Sequence, residues 1–168
     1  MPPLIRRLPI PLLLLTACAG GSAVRTPIPE VTGDTKAISS LRYIDISFGT
    51  GALAEPRKCF YVHYTSWLPN GKKFDSSRVL TDKGQPREPV FFLQGAKQVI
   101  DGWDIGFEGM RVGGARRLIV PYQLGYGERG NPPVIPARAT LTFDVELMAV
   151  ADPVPRCPTW AEVSQRAP

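Results

Sequence analysis

Phe74-Asp75 follows an Asn70-Gly71 turn signal in the stretch NGKKFDSSR (70–78), which sets a carboxylate beside an aromatic ring. A carboxylate acting as general acid or base needs a reacting proton and usually a second titratable partner. The chain offers few. Its only histidine, His63, lies between Val62 and Tyr64 in an alternating segment, on the face opposite to theirs. A solvated strand histidine is expected there, which excludes a multi-histidine metal site and leaves a Ser-His-Asp triad without support. No GxSxG elbow, P-loop or dinucleotide fingerprint occurs, and Gly125-Tyr126-Gly127 matches none of them. No metal and no cofactor are expected.

What recurs is aromatic residues beside sharp turns: Tyr64, Phe74, Phe92, Trp103, Tyr126 and Phe143, interleaved with Val99, Ile100 and Ile135. Taken singly, each reads as ordinary core. Their joint placement depends on the elements that carry them, and period-two patterns dominate. Strands are predicted at Leu41–Ile46, Cys59–Leu68, Lys72–Asp75, Val90–Leu93, Arg116–Val120 and Thr140–Val150. In the last, Leu141, Phe143, Val145 and Leu147 alternate with Thr142, Asp144 and Glu146. Pro69-Asn70-Gly71 supplies the turn that folds the third strand back on the second. Helical spacing appears only at Ile100, Trp103, Phe107 and Met110, with Asp101 as the expected N-cap. Gly102, Gly106 and Gly109 weaken that helix in isolation, so packing must hold it. An antiparallel sheet with one apolar face, covered by one helix, is an α+β domain.

With 168 residues, 43% of them hydrophobic, the chain holds one domain with a real core. Arg6 and Arg7 precede an apolar run from Leu8 to Leu15 that suits a secretory signal and is too short to span a bilayer. The run ends Leu15-Thr16-Ala17-Cys18, which resembles the bacterial lipobox; the alternative is an ordinary signal with a chance cysteine at the cleavage site. On the lipobox reading residues 1–17 are removed, Cys18 carries lipid, 18–40 form a Gly/Ser/Thr/Pro-rich tether, 41–150 the domain and 151–168 a proline-rich extension. The resemblance implies membrane attachment through Cys18 in the cell envelope, and Ala19 points to the outer membrane, facing the periplasm. Without Arg6 and Arg7 the formal charge of +5 falls to +3, which is no nucleic-acid footprint, and Arg111, Arg116 and Arg117 are expected on a solvated face. Cys59 and Cys157 then remain as an even pair in an exported chain, so a disulfide tying the tail to an early strand is preferred over two separate thiols.

Several stretches, in order, are similar to the FKBP-type peptidyl-prolyl isomerases: Val62–Thr65, Gly71–Arg78, Val99–Trp103, Gly125–Gly127, Ile135-Pro136 and Ala139–Leu147. The resemblance covers about Leu41 to Val150. It implies a bent five-stranded antiparallel sheet wrapped over one short helix, and acceleration of X-Pro bond rotation in unfolded or partly folded exported proteins. By the same resemblance Trp103 is the floor of the pocket and Tyr64, Phe74, Phe92, Val99, Ile100, Ile135 and Phe143 its walls. Tyr126, with the backbone N–H of Ile100, donates to a bound carbonyl, and Asp75 hydrogen-bonds within the pocket toward Tyr64. Where members often place a further pocket aromatic this chain has Val90, and where some place a histidine it has Asn131. Both changes reshape the rim, so an altered preference for the residue before proline and weaker macrolide binding are expected. The tether is too short for a helical dimerisation arm, so a monomer is expected. The competing reading is a binding module of the same fold that grips proline-containing segments with little turnover.

Overall fold

The computed structural model describes residues 28–38 and 40–165; the signal segment and Cys18 lie outside the described residues. Ten short elements follow one another: β1 (Lys36–Ile38), β2 (Leu41–Ser47), β3 (Cys59–Trp67), β4 (Lys73–Ser76), β5 (Val90–Leu93), α1 (Asp101–Gly106), β6 (Ala115–Val120), a 3₁₀ turn (Tyr122–Leu124), β7 (Leu141–Ala151) and α2 (Trp160–Ser164). The strands form one antiparallel sheet in the order β1-β2-β6-β7-β3-β4, with β5 also on β3. The α+β architecture agrees with the sequence reading, while the strands divide more finely than five. β4 and β5 occupy two halves of the same edge of β3, Thr65–Trp67 and Cys59–Val62, and count as one position in the sheet. β1 is an added edge strand, paired from Lys36 opposite Tyr43 to Ile38 opposite Leu41. It lies inside the stretch expected as tether, whose low apolar content hid a strand held by its neighbour's backbone and by the Lys36–Asp45 ion pair (2.8 Å). The carbonyl of Pro29 also accepts a hydrogen bond from Arg117 Nη1, so contact with the domain begins well before residue 41.

Alternation along β7 buries Leu141, Phe143, Val145 and Leu147 on one side, and Phe60 and Val62 of β3 join them. Register shifts at Tyr61/Val62 and Ser66/Trp67 of β3, and at Asp45/Ser47 of β2, mark the bulges that bend the sheet. α1 lies in the resulting hollow. It is six residues long rather than the eleven that the spacing from Ile100 to Met110 predicts, although Phe107 and Met110 are buried beyond its end. Ile100, not Asp101, is the N-cap residue and offers no side-chain cap; Asp101 instead meets Lys97 Nζ at 2.7 Å. The glycines that weaken α1 in isolation allow it to approach the sheet. A Cβ on Gly102 would lie 2.5 Å from Val120 Cγ1, and one on Gly106 would lie 2.7 Å from Leu118 Cδ1.

Arg116 and Arg117 are not on a solvated face. Both are buried, Arg116 against Asp45 (2.7 Å) and over the Tyr43 ring, Arg117 in a two-pronged pair with Asp144 (2.6 Å for each). Two adjacent residues of one strand point to opposite faces, and each finds an aspartate across the ladder. The C-terminal extension folds back on the outer face of the sheet. Cys157 is bonded to Cys59, with Cα atoms 5.6 Å apart. α2 starts after Pro158, with Thr159 and Glu162 forming a capping box, and Trp160 packs against Tyr61, which also stacks on Phe91.

Candidate functional site

Between the bent sheet and the start of α1 lies a cavity of about 250 Å³ lined by Tyr64, Ser66, Phe74, Asp75, Val90, Gln98, Val99, Ile100, Trp103, Tyr126 and Phe143. Each wall is delivered by a different element: Tyr64 and Ser66 by β3, Phe74 and Asp75 by β4, Val90 by β5, Phe143 by β7, and the floor by α1. Trp103 sits edge-to-face with Tyr64 (centroids 5.1 Å apart, 80°) and with Phe143 (5.6 Å, 83°), and Phe143 meets Phe74 in the same manner (6.3 Å, 79°). Such perpendicular pairs match ring edges to ring faces, and each holds its neighbours' orientation. The result is a rigid aromatic cup.

The structure brings together all the residues expected of the pocket except two. Phe92 is 2% exposed and lies behind Trp103, between Phe60 and Phe107 in the core. Its neighbour in the strand pattern, Val90, is 38% exposed and lines the cavity. Both residues share one face of β5, and only the depth of the hollow separates core from wall. Ile135 is likewise buried, 3% exposed, outside the lining. Sequence reasoning missed Ser66 and Gln98. The first follows from the period of β3, since Ser66 shares the face of Tyr64; the second sits one residue before Val99 and carries no distinguishing signal.

Polar groups are few, and those around Asp75 are fixed by hydrogen bonds. Tyr64 donates its hydroxyl to Asp75 Oδ2 at 2.6 Å, and the other carboxylate oxygen accepts Ser76 N–H at 2.8 Å. Ser66 donates to the Asp75 carbonyl at 2.9 Å, so the aspartate is held through both backbone and side chain. Burial, and then the hydrogen bond to Asp75, push the ionisation of Tyr64 well above the usual phenol range. Tyr126 is raised as well, by burial first and by the Asp75 charge second. Both hydroxyls are therefore proton-bearing donors at neutral pH. That of Tyr126 has no partner among the described residues, nor has the N–H of Ile100, and both residues line the cavity. His63 is not simply solvated: its Nδ1 lies 3.0 Å from Ser77 Oγ behind the cup wall, not in the cup.

A larger groove, about 790 Å³, lies elsewhere between the C-terminal extension, β7 and residues 51–52, lined mainly by aliphatic side chains, with Arg156 and Glu162 among its few charged residues. It has no convergent set of donors. The chemistry is in the smaller aromatic cup, whose volume suits one residue and its flanking peptide groups rather than the roughly 300 to 1,000 Å³ of a cleft for a drug-sized ligand.

A bent antiparallel sheet closed over a short helix, with an aromatic cup that has no histidine or cysteine among its described lining residues and carries unpartnered donors, is a site that can hold an apolar segment by shape and hydrogen bonds. Residues 51–148 match the sequence profile described as FKBP-type peptidyl-prolyl cis-trans isomerase. An FK506-binding protein of Neisseria meningitidis serogroup A is 49% identical over 113 residues, covering 67% of this chain and 98% of that protein. Among solved structures, AtFKBP13 aligns with a TM-score of 0.59 and 35% identity over 67% of this chain and 94% of its own. FkpA from Escherichia coli gives 0.60 and 34%, over 70% of this chain and 52% of its own. The chain belongs to the FKBP-type peptidyl-prolyl cis-trans isomerase family.

Proposed function

We propose that this isomerase accelerates X-Pro rotation by stabilising the twisted amide in the cup formed over Trp103, and that it does so on exported polypeptides. The observation that carries the mechanism is an aromatic cup lined by Tyr126 and Ile100, whose hydroxyl and backbone N–H find no partner among the described residues. Rotation about the prolyl amide breaks its resonance, at a barrier of roughly 18 to 20 kcal/mol. The twisted amide is less polar along C–N than the planar one, so an environment without water disfavours the ground state more. The prolyl ring fills the cup against Trp103, Phe74 and Phe143, and the free donors hold carbonyls on either side of the bond. Each tenfold acceleration requires about 1.4 kcal/mol of such preference, so shape, desolvation and two hydrogen bonds supply several decades without a proton transfer.

An envelope location, with a lipid on Cys18 and proline-containing unfolded chains as clients, is supported by the Arg6–Cys18 pattern and by the Cys59–Cys157 bond, which suits an oxidising compartment. X-Pro equilibration is slow enough to limit folding there. The binding-module reading finds less support, because Tyr64, Asp75, Trp103, Tyr126 and Phe143 all stand in the cup. A protease-free assay over X-Pro peptides is expected to show turnover with a preference shaped by Val90 and Gln98 at the cup. Exchange no faster than the uncatalysed rate for every peptide would remove the proposal.

A further inference from the structure

Behind the cup, a short chain of polar groups connects the only histidine to the main chain of Tyr64. His63 Nδ1 lies 3.0 Å from Ser77 Oγ. Ser77 is 3% exposed, and its Oγ accepts the Tyr64 N–H at 2.8 Å. The Tyr64 carbonyl oxygen accepts both Ser77 N–H and Ser76 Oγ, each at 3.0 Å, and lies 3.4 Å from Ser77 Oγ. One buried hydroxyl therefore stands between a titratable ring and the residue whose phenol holds Asp75.

A serine hydroxyl has one proton and two lone pairs. With His63 neutral and its proton on Nε2, Ser77 donates to Nδ1 and accepts from Tyr64 N–H, so both short contacts are satisfied. With His63 protonated, Nδ1 becomes a donor and the Ser77 proton must turn toward the Tyr64 carbonyl. That oxygen is farther away and already accepts two hydrogen bonds. We propose that Ser77, set by His63, is a positioning residue for the Tyr64–Asp75 pair, and that protonation of His63 loosens this wall of the cup and slows isomerisation.

The charged groups facing His63 are Glu146, directly opposite on β7, and Arg78 from the loop after β4, which is paired with Glu146. β6 brings Ala115 opposite Glu146, and β5 ends at Val90 opposite Val62, so neither adds a charge. Farther along β7, Asp144 is engaged by Arg117. Burial first and Arg78 second lower the ring's titration below 6.5, against the pull of Glu146. The ring is therefore neutral at pH 7 and charges on acidification.

The kinetic consequence rests on the isomerase reading; the structural one rests on the hydrogen-bond chain alone. The test measures kcat/KM of the full chain, without protease, for an X-Pro peptide free of titratable groups, from pH 8 to pH 5. The wild type is expected to lose about fivefold on the acid side, the factor one intramolecular hydrogen bond is worth. His63→Asn, whose amide oxygen supplies an acceptor in place of Nδ1 and does not titrate, is expected to lose that acid limb. Ser77→Ala is expected to be flat as well, from a lower starting value. In parallel, the Tyr64 ring resonances, on the face away from the imidazole, should follow its titration in the wild type and lose most of that response in Ser77→Ala. A flat wild-type profile, an acid limb that persists in His63→Asn, or Tyr64 ring resonances that follow His63 equally in the wild type and in Ser77→Ala would overturn the inference. Inactivity at pH 8 would count against the isomerase reading instead, and the Tyr64 ring resonances would still decide this one.

Discussion

Replacing Asp75 by asparagine separates a hydrogen-bonding carboxylate from a proton-transferring one. In the structure Asp75 Oδ2 accepts from Tyr64 Oη at 2.6 Å and Oδ1 from Ser76 N–H at 2.8 Å. Asparagine keeps one acceptor of the same shape and loses the charge. A hydrogen bond to a charged group contributes about 1.5 to 3 kcal/mol and a neutral one about 0.5 to 1.5. Asp75 is exposed at the cup's rim, so the lower end applies. Asp75→Ala, which removes the bond, is expected to lower kcat/KM about tenfold, and Asp75→Asn, which weakens it, about threefold. A general acid or base would contribute roughly 10² to 10⁴. The assay is protease-free isomerisation of one peptide by the three proteins at pH 7.5, with folding checked by circular dichroism. A loss of about a hundredfold or more in Asp75→Asn would refute the non-covalent account.

Gly102→Ala gains about 1 kcal/mol of helix propensity but drives a methyl toward Val120 Cγ1, at 2.5 Å, on a stiff and fully buried side chain. Overpacking costs about 1 to 3 kcal/mol, so urea denaturation should show a net destabilisation. Cys157→Ser opens a link spanning 98 residues and is expected to cost up to about 4 to 5 kcal/mol in the same measurement, while kcat/KM stays at the wild-type value because the extension packs on the outer face of the sheet. At Asp45, burial pushes the carboxyl up but is outweighed by the hydrogen bonds from Lys36 and Arg116, leaving it below its ordinary 3.8. Its contribution to stability is therefore present above pH 3.8 and lost as the pH falls through the lower folded value. Denaturation midpoints followed down to pH 2.5 should show this acid loss in the wild type and less of it in Asp45→Asn.

Much of the fold could be read from alternation, because β7 buries one face and exposes the other and the pleat enforces a period of two. The Asn70-Gly71 turn likewise placed Phe74 and Asp75 at the cup, since a tight hairpin fixes register. Burial depth was not readable. Phe92 and Val90 share a face and differ only in their distance from Trp103, which the curvature of the sheet decides. Arg116 and Arg117 looked like surface charge because their partners, Asp45 and Asp144, come from strands 71 and 27 residues away in sequence. The helical spacing from Ile100 to Met110 reported burial of Phe107 and Met110 correctly, but the turn that buries them ends the helix at Gly106. β1 has no apolar pattern of its own and exists through its pairing with β2.

The most direct test of the central claim is a proline-limited refolding reaction followed with increasing amounts of the full chain. The account predicts that the slow phase accelerates in proportion to the protein added. With Tyr126→Phe the slope should fall about fivefold, the worth of one neutral hydrogen bond from an otherwise unpartnered hydroxyl, with no loss of stability. A slow phase unchanged by the wild-type protein, or a slope indifferent to Tyr126→Phe, would contradict it.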